Sequence, residues 1–384
     1  MDAPAHLICP CTHEVFEDPV VACDGFVYEL TAIEAWLRDH DTSPCTRAVI
    51  SKTLIRCHFV STQVSEWRRA NGLPCAPTTP IGIVHVVPQA ILVEDLADAA
   101  SEGRLEDVQY LVAQGADIHA EEDMALREAS ELGHMSVVEF LVQHGADIHA
   151  CDEEALRLAS EYGHLAVVQF LVAQGADVHA HDDYALKMAS RHGHLSVVQF
   201  LVVEHGANVH ADNDCALYAA SREGHLPVVE FLVEHGANIC ADYDRALLAA
   251  SEKGHLPVVQ FLAPGADRRS VDYTLCVASQ YGHLPVVEFL VQQGANVNAL
   301  SDHALRVASR EGRVSVVQFL VEHGADIHTE DDWALRLASE HGHLSVVQVL
   351  VAHGADVHAF FNDAFARASV NGHTAVVQFL ESLP

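Results

Sequence analysis

The sequence predicts two folds in series: a small α+β domain over residues 1–72 and, beyond a proline-rich linker over 73–91, an all-α solenoid over 92–384. Three observations carry this. A Gly-Ala pair begins at Gly115, Gly145, Gly175, Gly206, Gly236, Gly265, Gly294, Gly324 and Gly354, a spacing of 29–31 residues that marks stacked supersecondary units. Pro74, Pro77, Pro80 and Pro88, with Gly72 and Gly82, exclude a helix before the repeats and favour an extended spacer. Before them, residues 7–70 alternate loop, strand and helix signals of a different texture.

Within one unit, residues 152–180, Ala155, Leu156, Ala159 and Ser160 share one face of a short helix. Gly163-His164 breaks the run, and Val167, Val168, Phe170, Leu171 and Val172 form a second, more apolar helix ended by Gly175. The small Ala-Ser pair permits close approach of neighbours. Leu and Val supply area that one hairpin cannot bury alone, so the unit is stable only in a stack. Gly-His before the second helix and Gly-Ala-Asp after it resemble the ankyrin repeat, over about ten copies. The period is shorter than the usual ~33, and Asp-Tyr-Ala-Leu at 183–186 stands where the Gly-x-Thr-Pro tip would be. In this the repeats are similar to the short ankyrin repeats of giant DNA viruses that infect amoebae.

Composition narrows the function class. There are 21 Lys plus Arg against 54 Asp plus Glu, for a formal charge of −33. Such a chain is a poor tracker of phosphate backbones, because that binding rests on cationic side chains displacing counterions; no nucleic-acid partner is expected. The start, Met-Asp-Ala-Pro-Ala-His, has no signal-peptide character, and no apolar run reaches the ~18 residues that span a bilayer. A soluble intracellular protein without membrane contact is expected. Ten scattered cysteines read as reduced thiols rather than a disulfide framework. The viral likeness would extend the setting to the cytoplasm of an infected host cell.

In the first domain, Pro10 and Pro19 mark loops, Val20-Val21 starts a strand, Asp24-Gly25 signals a hairpin turn, and Phe26 to Tyr28 returns as the partner strand. Thr31 is expected to cap a helix over 32–40 with Ile33, Trp36 and Leu37 on one face. A second loop, Asp41-Thr-Ser-Pro-Cys-Thr-Arg47, leads to an apolar stretch (Val49, Ile50, Leu54, Ile55) and a closing helix over 59–69. Zinc does not fit the spacing. Paired thiolates need two to four residues between them, whereas Cys9 and Cys11 are separated by one, Cys57-His58 are adjacent, and Cys23 and Cys45 lack partners.

Ile8-Cys9-Pro10, Thr12, Glu14, Asp18-Pro19-Val20, Asp24-Gly25, Tyr28-Glu29, Ile33, Trp36-Leu37, Ser43-Pro44-x-Thr46 and Leu54-Ile55 together resemble the U-box, a RING-shaped domain without zinc. The resemblance implies that Asp18, Asp24, Glu29 and Thr46 supply polar braces. It also implies a ubiquitin ligase module that docks a ubiquitin-conjugating enzyme and promotes transfer of ubiquitin to a protein substrate, with no covalent intermediate and no cofactor. Ile8, Cys11, Trp36 and Pro44 fall at the enzyme-docking positions, Cys11 where the family has a branched aliphatic. Arg47 falls where a basic residue holds loaded ubiquitin in a reactive pose. The bland readings stay open: Ile8 and Trp36 as core, Pro44 as turn former, Arg47 as a solvated charge. So does a different class of function, a non-catalytic scaffold or decoy with a degenerate U-box.

In the array, the residue before Ala-Leu varies most: Met124, Glu154, Tyr184, Cys215, Arg245, Tyr273, His303, Trp333 and Asp363. Large aromatics and Arg in an exposed row are typical anchors, so Tyr184, Arg245, Tyr273 and Trp333 are the candidate substrate contacts; surface drift explains the column equally well. Two histidine columns, Gly-His and Ala-Asp-Ile/Val-His, offer one ligand per level, too few for a metal site. They are expected to be structural, the first bonding the next repeat. With 28 histidines, charge is also expected to depend on pH between about 5 and 7. The first and last copies are incomplete, as capping units are, and Pro264 is expected to loosen its helix end.

Overall fold

The computed structural model describes residues 3–22, 24, 26–50, 52–56, 58–73, 83–85 and 89–383. It divides into two compact units, Met1–Ala150 and Cys151–Pro384. Among the described residues no helix is long and apolar enough to cross a membrane.

The first unit begins with strands β1 (Pro19–Val21) and β2 (Val27–Glu29), helix α1 (Leu30–Asp39), strand β3 (Thr53–Arg56) and helix α2 (His58–Ala70). Helix α1 starts one residue before the Thr31 cap expected, and no side chain caps it. The reason is local: the carboxylate of Glu29 turns away to accept from the backbone N–H groups of Glu17 at 2.8 Å and Asp18 at 3.0 Å, while Leu30 N–H donates to Asp18 O at 3.0 Å. A fourth strand, β4 (Ile83–His85), pairs antiparallel with β3, giving the sheet order β2-β1-β3-β4. The rest of the linker, with Pro74, Pro77, Pro80 and Pro88, lies outside the described residues.

Two apolar clusters hold this domain. Val20, Ala22, Tyr28, Leu30, Ile33, Leu37, Ile50 and Leu54 form one, and Leu7, Cys9, Phe16, Val60 and Val64 the other. The half-buried Cys11 packs against both. Four repeat helices complete the first unit: α3 (Gln89–Ser101), α4 (Leu105–Ala113), α5 (Ala120–Glu131) and α6 (Met135–Gln143). Arg38 on α1 donates to the carbonyl of Gln114 at 3.0 Å, at the C-terminal end of α4, where unpaired carbonyls and the helix dipole favour a cation.

In the second unit each repeat keeps the two expected helices, for example 150–161 and Leu165–Ala173. Their inner faces carry fully buried Leu156, Ala159, Val168 and Leu171. What replaces the absent hairpin tip is a left-handed turn of three consecutive L-residues. Cys151, Asp152 and Glu153 have φ of 51°, 56° and 63°, and the pattern returns at His181–Asp183, Asp212–Asp214, Leu300–Asp302, Glu330–Asp332 and Phe360–Asn362. Left-handed conformation costs on the order of 1–2 kcal/mol per residue, and none of these residues is glycine.

Two contacts offset that cost. Where the third residue is an aspartate it is buried and bonds the following repeat: Asp183 Oδ1 accepts from Asn208 N–H at 2.9 Å, and Asp302 Oδ1 from Asp326 N–H at 2.8 Å. Where an arginine stands one turn into the helix it donates back to the turn's first carbonyl, as Arg157 does to Cys151 O at 3.0 Å and Arg306 to Leu300 O at 3.2 Å.

Irregular spacings have local causes. The 31-residue step from Gly175 to Gly206 is absorbed by a π-helical turn at Phe200–Glu204, which takes up one extra residue without breaking the helix. Near Pro264 the second helix stops early, at Leu262, and a 3-10 turn follows at Ala263–Gly265. This matches the loosened end expected there. The next helix, Arg268–Tyr281, has no left-handed turn and is capped by Asp267, whose carboxylate accepts from Ser270 N–H at 2.8 Å.

Candidate functional site: a braced loop pair and a repeat face

In the N-terminal domain two polar braces tie the loops to the strands. In one, Tyr28 O–H donates to Asp24 Oδ2 at 2.7 Å and lies 3.1 Å from Ser43 Oγ, and Ser43 Oγ accepts from the N–H groups of Cys45 at 3.1 Å and Thr46 at 2.9 Å. Ser43 and Tyr28 are wholly buried. Burial, with the bond to Asp24 and its charge, raises the Tyr28 phenol far above the ordinary range, while hydrogen bonds from Ser43, Phe26 and Tyr28 outweigh burial and hold the Asp24 carboxyl low.

The other brace joins Glu29 to the backbone of Glu17 and Asp18. Beside it the buried Cys9 Sγ accepts from Glu29 N–H at 3.2 Å and Cys11 N–H at 3.4 Å. Of the four expected brace residues, Glu29 and Asp24 bridge segments through their side chains. Among the described residues Thr46 Oγ1 accepts from nearby Ala48 N–H at 3.3 Å, and the backbone of Asp18 both donates to Glu29 and accepts from Leu30. The central roles of Tyr28 and Ser43 were not singled out from sequence, because a hydroxyl linking residues 15 apart has no local signature.

The first loop, α1 and the second loop converge. Trp36 Nε1–H donates to Thr42 O at 2.6 Å, His40 stacks on its ring at 4.0 Å, and Arg47 stands over the same ring at 5.8 Å. Arg47 itself is exposed, has φ of +64°, and donates its N–H to Ser43 O at 3.0 Å. Ile8, Cys11, Trp36 and Pro44 are all half-buried, neither core nor free. Burial, with Cys9 and Cys45 nearby, pushes the Cys11 thiol up to about 11. A thiol raised in this way is a poor nucleophile near neutral pH. Among the described residues no cluster of His, Cys, Asp or Glu is placed to hold a metal.

On the repeats the variable column is more mixed than an exposed row. Tyr273 and Arg245 are exposed, Tyr184 and Trp333 are half-buried, and Cys215 is buried. The four candidates are not brought together; each has its own cation–aromatic contact or stands alone. Arg157 and Lys187 lie over Tyr184 at 5.4 and 5.5 Å, Arg245 over Tyr218 at 4.0 Å, and Arg336 and Arg367 over Trp333 at 4.3 and 5.1 Å. Tyr184 and Lys187 also line a cleft with Asp212 and Cys215.

Both histidine columns are structural. In the first, Nε2–H donates to a carbonyl of the preceding repeat, not the following one, as His194 does to Glu161 O at 2.8 Å; Arg313 takes the same place with Gln280 O at 3.0 Å. In the second, His179 Nδ1–H donates to the buried Asp183 at 2.9 Å, and His210 to Asp214 at 3.0 Å.

Comparison with known proteins agrees with these two descriptions. The U-box domain family matches residues 3–72, and ankyrin-repeat families match 96–182, 179–243, 246–331 and 335–381. U-box domain-containing protein 33 of Arabidopsis thaliana is 51% identical over 67 residues, 17% of this chain and 8% of that protein. U-box domain-containing protein 35 of the same plant is 44% identical over 66 residues, again 17% and 8%. U-box domain-containing protein 70 of Oryza sativa subsp. japonica is 36% identical over 72 residues, 18% and 9%. The likeness to these relatives is therefore confined to the N-terminal domain. The chain belongs to the ankyrin-repeat family and carries a U-box domain ahead of its repeats.

Proposed function

We propose that the protein is a ubiquitin-protein ligase whose domain over 1–72 recruits a ubiquitin-loaded conjugating enzyme, while the array over 92–384, set off by the segment 73–91, holds a protein substrate. The observation that carries this reading is the meeting of Trp36, Thr42 and Arg47: a half-buried aromatic locked to the second loop, with an exposed guanidinium beside it. Ile8, Cys11, Trp36 and Pro44 form the docking groove in this reading. Arg47 bridges enzyme and ubiquitin so that a flexible thioester spends more time in its reactive orientation, which lowers the entropic part of the barrier.

Tyr184, Arg245, Tyr273 and Trp333 are the proposed substrate contacts, and holding the substrate raises its local concentration at the thioester. The work belongs inside a cell, where conjugating enzymes operate; the short repeat period is what favours a viral protein acting in a host. The test is a purified-component assay of thioester discharge and chain formation. Wild type should discharge the conjugating enzyme and Ile8→Ala should not. Equal background-level products from both would support the scaffold reading, and binding without discharge the decoy.

A further inference from the structure

The turn that opens the helix Ala359–Val370 breaks the chemistry of its predecessors at one place. The first two residues of the left-handed turn are polar or small in most copies, Glu121-Glu122, His181-Asp182, Asp212-Asn213 and Glu330-Asp331 among them, but here they are Phe360-Phe361. Both are exposed, Phe361 to 95%. This is not an effect of the array's end, because Glu122, Asp182, Asn213 and Asp331, at the same position with a repeat on either side, are exposed too. Val370, by contrast, lies at the end of its helix. Two aromatic rings therefore stand in water on a backbone, φ 48° and 62°, that bulky L-residues seldom adopt.

Their surroundings are ordered and charged in one sense. Phe360 lies 4.3 Å from the Arg336 guanidinium, which also stands 4.3 Å over Trp333, so that Trp333, Arg336 and Phe360 form one stack; Phe361 meets Phe360 edge-on at 6.0 Å. Every cation here is matched. Arg336 and Arg367 both reach Asp363, Arg367 also reaches Glu340, and Arg306 pairs with Glu330 at 2.9 Å. Asp331, exposed in the neighbouring turn, has no ion pair among the described residues, and Asp356 is exposed as well. The surplus charge around the aromatic tip is negative, as it is over the whole chain at −33.

We propose that Phe360, Phe361 and Trp333 form a docking site for a partner-protein segment that carries Lys or Arg beside a large apolar side chain. The apolar group covers Phe361, and the cation lies over an aromatic face with Asp331 as its counter-charge. A rigid aromatic platform loses little freedom on binding, which makes it a suitable anchor. The inference rests on the reading of the array as substrate holder and names the chemistry of the held segment.

The test uses the full chain and three short labelled peptides of equal length, Leu-Lys, Leu-Glu and Ser-Lys in alternation, followed by fluorescence anisotropy. The Leu-Lys peptide should bind at least about tenfold more tightly than the other two. Phe361→Asn, which suits the left-handed turn and leaves a 95% exposed position polar, should weaken it by about tenfold, and Asp331→Lys by about threefold with a shallower salt dependence. Equal binding of Leu-Glu, unchanged binding to Phe361→Asn, or self-association in ultracentrifugation that Phe361→Asn abolishes would overturn the proposal. Thioester discharge, measured in parallel, should be the same for wild type and Phe361→Asn. Failure of the wild-type chain to bind the Leu-Lys peptide, with discharge intact, removes this site alone, whereas wild-type peptide binding without discharge removes only the ligase reading.

Discussion

His194 Nε2–H donates to the carbonyl oxygen of Glu161 at 2.8 Å, across 33 residues and one level of the stack, and its ring fills the space beside Gly163 where a Cβ would stand. The Gly-His pair is thus one device: a left-handed glycine, φ +80°, clears the seat that the next repeat's imidazole occupies.

The first prediction follows from that seat. Gly163→Ala meets both an unfavourable φ and the His194 ring, and should destabilise the chain by about 2–4 kcal/mol. Gly175→Ala, at φ +109° with nothing within 4 Å of the added carbon, pays only the backbone penalty, roughly 1–2 kcal/mol. Urea melts of both variants give the comparison, and equal effects would contradict the shared-seat account.

The same imidazole sets a pH dependence. Burial, helped by repulsion from His192, His164 and His225, holds His194 below the ordinary imidazole value near 6.5. The unfolded chain therefore takes up this proton first as pH falls. The stabilisation is full above about pH 6.5 and is lost on acidification through the lower folded value. Thermal melts from pH 7.5 to 5 should fall, and fall less steeply in His194→Gln.

In the U-box, Ser43→Ala orphans the N–H groups of Cys45 and Thr46 and the Tyr28 hydroxyl's second contact. It should cost about 2–3 kcal/mol, with Tyr28→Phe somewhat milder. Prolonged chelation should leave the same melt unmoved, because hydrogen bonds occupy both brace positions. Fluorescence of Trp36 and Trp67 follows the transition.

Arg47 and Ile8 should separate binding from activation. Arg47→Ala is expected to keep affinity for the conjugating enzyme within about threefold while slowing thioester discharge about tenfold; Ile8→Ala should lose both. Titration of the enzyme against each variant, with single-turnover discharge, distinguishes them.

The buried serines of the repeats offer a gain. Ser130 Oγ donates to Leu126 O at 2.7 Å, but Ser160 Oγ, equally buried, has no partner among the described residues. Ser160→Ala removes an unpaired polar atom and should raise stability by roughly 0.5–1 kcal/mol. A lower melting temperature would mean that the hydroxyl is satisfied in solution.

Much of this protein was legible in its residue order, because each signal was local or periodic. The Gly-Ala spacing, the helix pair within each repeat and the U-box motif order all depend on neighbours a few residues away or on repetition. Folding alone decided what depends on distant partners. Residues 151–153, Cys-Asp-Glu, carry no mark of left-handed backbone; there Arg157 reaches back to the Cys151 carbonyl, and in the equivalent turn at 181–183 the third residue, Asp183, reaches the next repeat. Tyr28 and Ser43, strand Ile83–His85 against β3, and the stack of Trp333, Arg336 and Phe360 belong to the same class. Hydrogen bonding and ring contact between segments far apart in sequence have no periodicity to betray them, and only three-dimensional packing brings those groups within reach.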